Sequence, residues 1–276
     1  MLSARAACLD SADMSLWLLN HVSTFTLALV TVGGTVLLAL AGSVLVRRRY
    51  PSVAEGEHND MVGVALGMFG AIYGIILAFV IVTLWTQMED TQTIIASEAT
   101  DAALIARDAA AFPAPVRARL DAELSGYVHA VVEKQWPRMR AGRPSYGATE
   151  SHLRAAFEVL QSYDPKSRRE QVFYEEAVGN INDIAAQRRA RLTMAEQELP
   201  PLLQVLAFGG AFVLIPLTFL YGVRMLRIQL LFVGSVAVLI GFSLLLVFVL
   251  DRPFAGELSV SPAPYRQGAL AQYWAP

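Results

Sequence analysis

From Leu16 to Val46 the chain runs 31 residues without a Lys, Arg, Asp or Glu, and it then stops abruptly at Arg47-Arg48-Arg49. Water-soluble domains have no place for such a stretch. A hydrocarbon core of about 30 Å is crossed by about 20 apolar residues in a helix, because the backbone there has only itself to bond to. Three further uncharged runs meet the same requirement: Met61 to Thr86, Leu202 to Val223, and Ile228 to Leu250. The whole chain is 55% hydrophobic and 17% charged, against about 45–50% and about 25% in soluble domains. The excess is accounted for by these four runs.

The order is two spans (16–46 and 61–86), a polar stretch of 114 residues from Gln87 to Pro200, two more spans (202–223 and 228–250), and tails at 1–15 and 251–276. That polar stretch holds 14 of the basic and 17 of the acidic residues, so it is the aqueous domain. It reads as helical throughout. No Gly or Pro interrupts Gln87 to Ala111, and Ile94, Ile95, Ala99, Ala102, Leu104 and Ile105 recur near helical spacing, so the second span continues out of the membrane as one helix. Pro113, Pro115 and Pro137 bound a helix over Val116 to Trp136; Arg138 to Pro144 reads as a loop; Ala148 to Tyr163 and Arg168 to Glu198 read as further helices. No segment alternates like a strand. The expected fold is an all-α, polytopic membrane protein: four transmembrane helices, two plus two, with an inserted helical aqueous domain.

A net charge of −2 leaves no global basic field, so nucleic acid is excluded as a partner. The lone cysteine, Cys8, cannot form an internal disulfide, and no Cys/His cluster has metal-ligand spacing, so no metal or other cofactor is expected. The first fifteen residues carry Arg5, Asp10 and Asp13 and lead to an apolar run without a small-residue cleavage site, which reads as a retained segment. Enzyme signatures are missing: there is no G-x-S-x-G, H-E-x-x-H, phosphate loop or dinucleotide turn, and His21, His58, His129 and His152 show no paired spacing. No catalytic residue is assigned.

Six constellations remain. Gly63, Gly67, Gly70 and Gly74 share one face of the second span, where small residues let another helix approach closely, within the chain or between subunits. On the other side, Ile72, Ile76 and Phe79 could face lipid or form an apolar constriction. Asn59 and Asp60 precede that span and suit either a helix cap or a charged mouth. Arg188, Arg189 and Arg191 lie before the third span. They could contact anionic headgroups, pair with Glu89, Asp90 or Glu98, or form a charged ring in an oligomer, with Glu89 as its counterpart. Asp251, Arg252 and Pro253 close the fourth span as a structural corner. Trp17, Trp85 and Tyr221 sit at span ends, where amphipathic rings favour the headgroup layer.

Several of these residues fall in a recognisable series. His58-Asn59-Asp60 precedes a glycine-rich span with Tyr73. Leu77-Ala78-Phe79, Trp85, Glu89 and Glu98-Ala99 follow. Further on come Glu133 to Met139 as E-x-x-W-P-x-M, Arg188-Arg189-x-Arg191-Leu192, Leu250-Asp251-Arg252-Pro253-Phe254-x-Gly256, and Val260-x-Pro262. Together they resemble the four-span membrane proteins of bacteria and plants described as bestrophin-like, over roughly Arg47 to Pro264. The resemblance implies a multi-pass protein of the plasma membrane (the bacterial inner membrane), assembled as a homo-oligomer, a pentamer by analogy. It implies an ion channel that conducts inorganic ions, anions before cations. Its second helix would line an apolar neck at Ile72, Ile76 and Phe79. The competing expectation is a non-conducting scaffold or sensor whose helical domain binds a protein partner. Orientation pulls two ways: Arg47, Arg48, Arg49, Arg224 and Arg227 favour short loops in the cytoplasm, whereas a bestrophin-like topology places the helical domain there.

Overall fold

The structure, a computed structural model, describes residues 14–275, so Cys8 and most of the expected N-terminal tail lie outside the described residues. After a helical lead-in at 14–21, the helices are α1 (Thr24–Arg49), α2 (Asn59–Asp108), α3 (Ala114–His129), α4 (Trp136–Arg140), α5 (Gly147–Gln161), α6 (Arg168–Glu196), α7 (Pro201–Phe219) and α8 (Leu226–Leu250). Among the described residues there is no strand. Four helical stretches are long and apolar enough to cross a membrane, at Thr24–Arg49, Asn59–Ala111, Arg168–Phe219 and Leu226–Leu250. The chain is an all-helical, four-span membrane protein.

It divides into two compact units. Of the described residues, one unit comprises 21–86 and 198–251, the other 14–20, 87–197 and 252–275. The helix α2 is unbroken for 50 residues and contributes to both.

In the span unit, the first membrane helix starts at Thr24, later than the apolar run that begins at Leu16. The chain breaks at Val22 and Ser23. Ser23 is extended, and its hydroxyl accepts from the Thr26 amide at 3.2 Å, so a side-chain cap divides a continuous apolar run. At its other end α1 takes in Arg47, Arg48 and Arg49, where the helix dipole favours positive charge. Arg47 also joins the two hairpins: its guanidinium donates to the carbonyls of Val223 and Arg224 and to Gln229 Oε1 at 2.6–2.7 Å. Ala39, Phe219, Val233 and Ala237 form the core between α1, α7 and α8. Small residues allow this approach. A Cβ on Gly42 would meet the Phe219 ring at 2.7 Å, and one on Gly241 would meet Val32 Cα at 3.1 Å.

In the helical unit, the stretch expected as one helix from Val116 to Trp136 is interrupted. The residues Ala130–Gln135 form a wider turn of π type between α3 and α4. Pro137, in the first turn of α4, has no amide to give the preceding turn, which accounts for the change of pitch there. The turn places Gln135 wholly inside the unit.

Candidate functional site

Within the span unit, α2 buries one stripe, Val62, Tyr73, Leu77, Val80 and Leu84. It is held to α7 by Tyr73, whose hydroxyl donates to the Ala207 carbonyl at 2.7 Å and whose ring occupies the space a Cβ on Gly210 would need. The flanking faces are open. Ile72 and Phe79 are 55% and 67% exposed, Ile76 is half-buried, and Ile75 is 72% exposed. On the opposite flank, a Cβ on Gly67, Gly70 or Gly74 would meet nothing within 4 Å, while one on Gly63 would touch Tyr221 at 3.6 Å. Gly70 and Gly74 border an apolar groove of about 470 Å³ shared with Leu77, Leu214, Phe232 and Ile240.

At the start of α2, the Asn59 amide clasps the backbone of Gly222: its Nδ2 donates to the Gly222 carbonyl and its Oδ1 accepts from the Gly222 amide, both at 2.8 Å. The side chain expected to cap α2 instead closes the connection between the third and fourth spans. Asp60 is exposed in the first turn of α2, beside the positive end of the helix dipole.

The helical unit is built around Arg191. Its Nε lies 2.8 Å from Glu98 Oε2 and its Nη2 2.9 Å from Glu98 Oε1, a side-on pair in which neither side chain has any exposure. Nη2 also donates to Gln135 Oε1 at 2.8 Å, and Tyr127 donates to Glu98 Oε1 at 2.6 Å. The Tyr265 ring lies under the guanidinium at 6.0 Å. Burial pushes both phenols, Tyr127 and Tyr265, well above their usual range, and the Glu98 charge adds to this. Burial also works against the Arg191 charge, but Glu98, Tyr265 and Tyr127 more than offset it, so the guanidinium is held more firmly protonated.

Arg188, one turn earlier, is buried as well. It donates to Thr149 Oγ1 at 2.7 Å, to Glu150 Oε2 at 2.9 Å and to the Tyr146 carbonyl. Of the three arginines only Arg189 is exposed. Two of the charges expected in a ring therefore face inward, neutralised by Glu98 and Glu150. On α2, Glu89 and Asp90 are exposed. Asp101 is raised by burial, with Asp183 and Glu98 adding negative charge nearby. Of the expected corner, Asp251 Oδ1 accepts the Leu199 amide at 2.7 Å, the Pro253 carbonyl accepts the Val260 amide at 2.8 Å, and Arg252 borders a small cavity with Leu16, Met139 and Ala195. Among the described residues no three His, Cys, Asp or Glu side chains gather as metal ligands would.

The scattered sequence elements thus converge. Trp136 meets Phe254 edge-on at 5.5 Å and Tyr265 at 6.3 Å, and Met139 Sδ lies 3.4 Å from Arg191 Nη1. Residues of the W-P-x-M, R-R-x-R-L and L-D-R-P-F elements share one buried cluster with Glu98. The sequence match follows the same residues: positions 33–265 fit the Bestrophin-like domain, most of the chain.

The chain belongs to the bestrophin-like family.

A solved bacterial bestrophin homologue from Klebsiella pneumoniae, a point mutant, has the same fold: TM-score 0.62 at 12% identity, over 88% of this chain and 99% of that one. Comparison with curated proteins gives no significant match. Tyr127, Gln135 and Tyr265, which complete the bestrophin-like motif cluster, carried no signal in the sequence reading. The one available cue was the buried-helix spacing of Leu120, Leu124 and Tyr127.

Proposed function

We propose that this bestrophin-like chain assembles as a homo-oligomer in a plasma membrane and conducts ions through a neck lined by Ile72, Ile76 and Phe79 of α2. The observation that carries the reading is the pair of unfilled faces on that helix. At 100° per residue, Ile72, Ile76 and Phe79 fall on one side of the buried stripe and Gly67, Gly70 and Gly74 on the other. An α2 anchored to its own α7 through Tyr73 can offer the glycine face to a neighbouring subunit and the isoleucine face to a shared axis. Apolar rings of that kind gate by dewetting.

Charge then sets the permeant ion. Beyond the apolar segment α2 exposes Asp90, while Arg188 and Arg191 are neutralised internally. Repeated around a ring, exposed carboxylates favour cations, in place of the anion preference that the family resemblance alone implies. The test is flux from proteoliposomes under a salt gradient. Conduction that rises on Ile76→Ala and Phe79→Ala supports the neck, and a reversal potential that moves toward the anion side on Asp90→Asn supports the charge assignment. A stable oligomer without flux would favour a scaffold instead.

A further inference from the structure

The span unit carries a cationic surface at the end where α1 meets the start of α8, and conduction through a neck on α2 makes no use of it. Arg48 and Arg49 close α1, Arg224 lies in the connection between α7 and α8, and Arg227 stands in the first turn of α8. All four are exposed and belong to the same compact unit, and among the described residues none of their guanidinium groups meets a carboxylate. The backbone beneath them is cross-braced. Arg47 donates to the carbonyls of Val223 and Arg224 and to Gln229 Oε1 at 2.6–2.7 Å, so the last turn of α1, the connection and the start of α8 lie within reach of one side chain. Those acceptors are neutral, so they satisfy Arg47 donors and leave its charge uncancelled. From the other side, Asn59 grips Gly222 through both amide atoms at 2.8 Å, and a Cβ on Gly222 would run into the Val53 carbonyl. The loop into α2 adds Glu55, Glu57 and Asp60, all exposed, and five arginines against these three carboxylates leave this end positive.

The helices themselves set the depth of these charges. The first, α1, is 26 residues long and α8 is 25. At the α-helical rise per residue either is about 38 Å long, against a hydrocarbon core of about 30 Å, so the terminal turns with their arginines stand in the headgroup layer. One turn further in, the same faces become apolar. Leu45 precedes Arg48 and Arg49 by three and four positions and Leu231 follows Arg227 by four, spacings that stack side chains on one helix face. The two leucines are 68% and 74% exposed. Charge at the helix ends with open aliphatic surface beneath it complements an amphiphile, whereas a free anion would make no use of the leucines.

We infer that Arg48, Arg49, Arg224 and Arg227 form a docking surface for the headgroup of an anionic phospholipid, whose acyl chains run past Leu45 and Leu231. Guanidinium forks match phosphate oxygens, and positive side chains at a membrane surface are drawn to anionic lipid. The occupant is lipid because these arginines end helices that cross the bilayer, where phosphodiester groups are the abundant anions, and because the leucines beneath them suit acyl chains.

The test is native mass spectrometry of the full-length protein released from mixed micelles of phosphatidylglycerol and phosphatidylcholine. Wild type is expected to retain phosphatidylglycerol, and R48Q/R49Q/R224Q/R227Q to retain about tenfold less or lower, with phosphatidylcholine unchanged. Arg47 is kept in the variant, because its hydrogen bonds join the two hairpins. The control R143Q/R154Q/R168Q/R169Q removes equal charge from exposed positions of the helical unit and should behave as wild type. Should the fourfold change prove unstable, the single reversals Arg48→Glu and Arg227→Glu ask the same question, and each is expected to lower phosphatidylglycerol retention. Wild-type retention in the span-end variants, equal loss in the control, or displacement of the lipid by millimolar inorganic phosphate would each overturn the assignment. Retention is measured without conduction, so the lipid site stands or falls apart from the channel.

Discussion

Glu98 and Arg191 meet side-on with both side chains fully buried, two hydrogen bonds of 2.8 and 2.9 Å joining α2 to α6 across 93 positions of sequence. Around the pair, Tyr127 donates to Glu98, and Arg191 donates further to Gln135 Oε1 and to Met139 Sδ. A buried pair is weak evidence for net stabilisation, since its desolvation is costly, but removing one partner strands the other. Glu98→Ala is therefore expected to cost about 3–5 kcal/mol, and the double variant Glu98→Ala with Arg191→Leu less than either single change. Thermal unfolding in detergent of the three variants, with wild type, checks the order. A double variant as unstable as the sum of the singles would mean that the two side chains act separately.

The tyrosines around this pair give a pH signature. Tyr127 and Tyr265 hold their protons above the usual tyrosine value of 10.0, chiefly through burial. Above the usual tyrosine value the unfolded chain releases these protons and the folded chain does not, so rising pH favours the unfolded state. The contribution is present below pH 10 and is lost as pH rises past it toward the folded values. Of the 9 tyrosines, these two should ionise only together with unfolding. Phenolate absorbance followed alongside circular dichroism shows it: full ionisation before helix loss would contradict the burial.

Trp274 fastens the last turn of the described chain to α3. Its ring lies 4.1 Å from that of His129, its Nε1 donates to the Tyr265 carbonyl at 2.8 Å, and Arg266 sits over it at 4.8 Å. Trp274→Ala removes all three contacts, a loss of about 1–3 kcal/mol from stacking, cation–π attraction and one hydrogen bond. Because His129 Nε2 also donates to the Tyr273 carbonyl, the tail should loosen without unfolding the unit. Limited proteolysis is expected to clip the variant near residues 267–275 while leaving the rest at wild-type rates.

Spans and helices were legible because their signals are local. An uncharged run of 31 residues has one physical solution in a membrane protein, and Pro113 marks the start of α3. The exact start of α1 was not, because a Ser23 cap breaks a run that hydropathy alone reads as continuous. Arg188 and Arg191 were read from their own helix as surface charges; what buries them, Thr149, Glu150, Glu98 and Gln135, comes from three other segments. The pairing with Glu98 was among the expectations, but its depth was not. Gln135 points inward only because the π turn rotates it there, and no spacing rule announces such a turn.

The glycine face of α2 separates assembly from folding with unusual clarity. In a tightly packed helix pair, replacing a glycine by leucine would clash inside the chain and report on folding. Here a Cβ on Gly67, Gly70 or Gly74 meets nothing within 4 Å of its own subunit. A Cβ at these positions leaves intramolecular contacts intact, and a longer side chain extends into the open groove beside α7 and α8 or onto a neighbour that needs the space. Gly70→Leu is expected to keep wild-type helix content and monomer thermal stability, yet to shift the protein to smaller species on size exclusion with light scattering. Gly210→Leu is the contrasting change: it would collide with the Tyr73 ring and should destabilise the fold itself. If Gly70→Leu leaves the oligomer unchanged, the glycine face points to lipid, and the arrangement of α2 around a shared axis has to be abandoned.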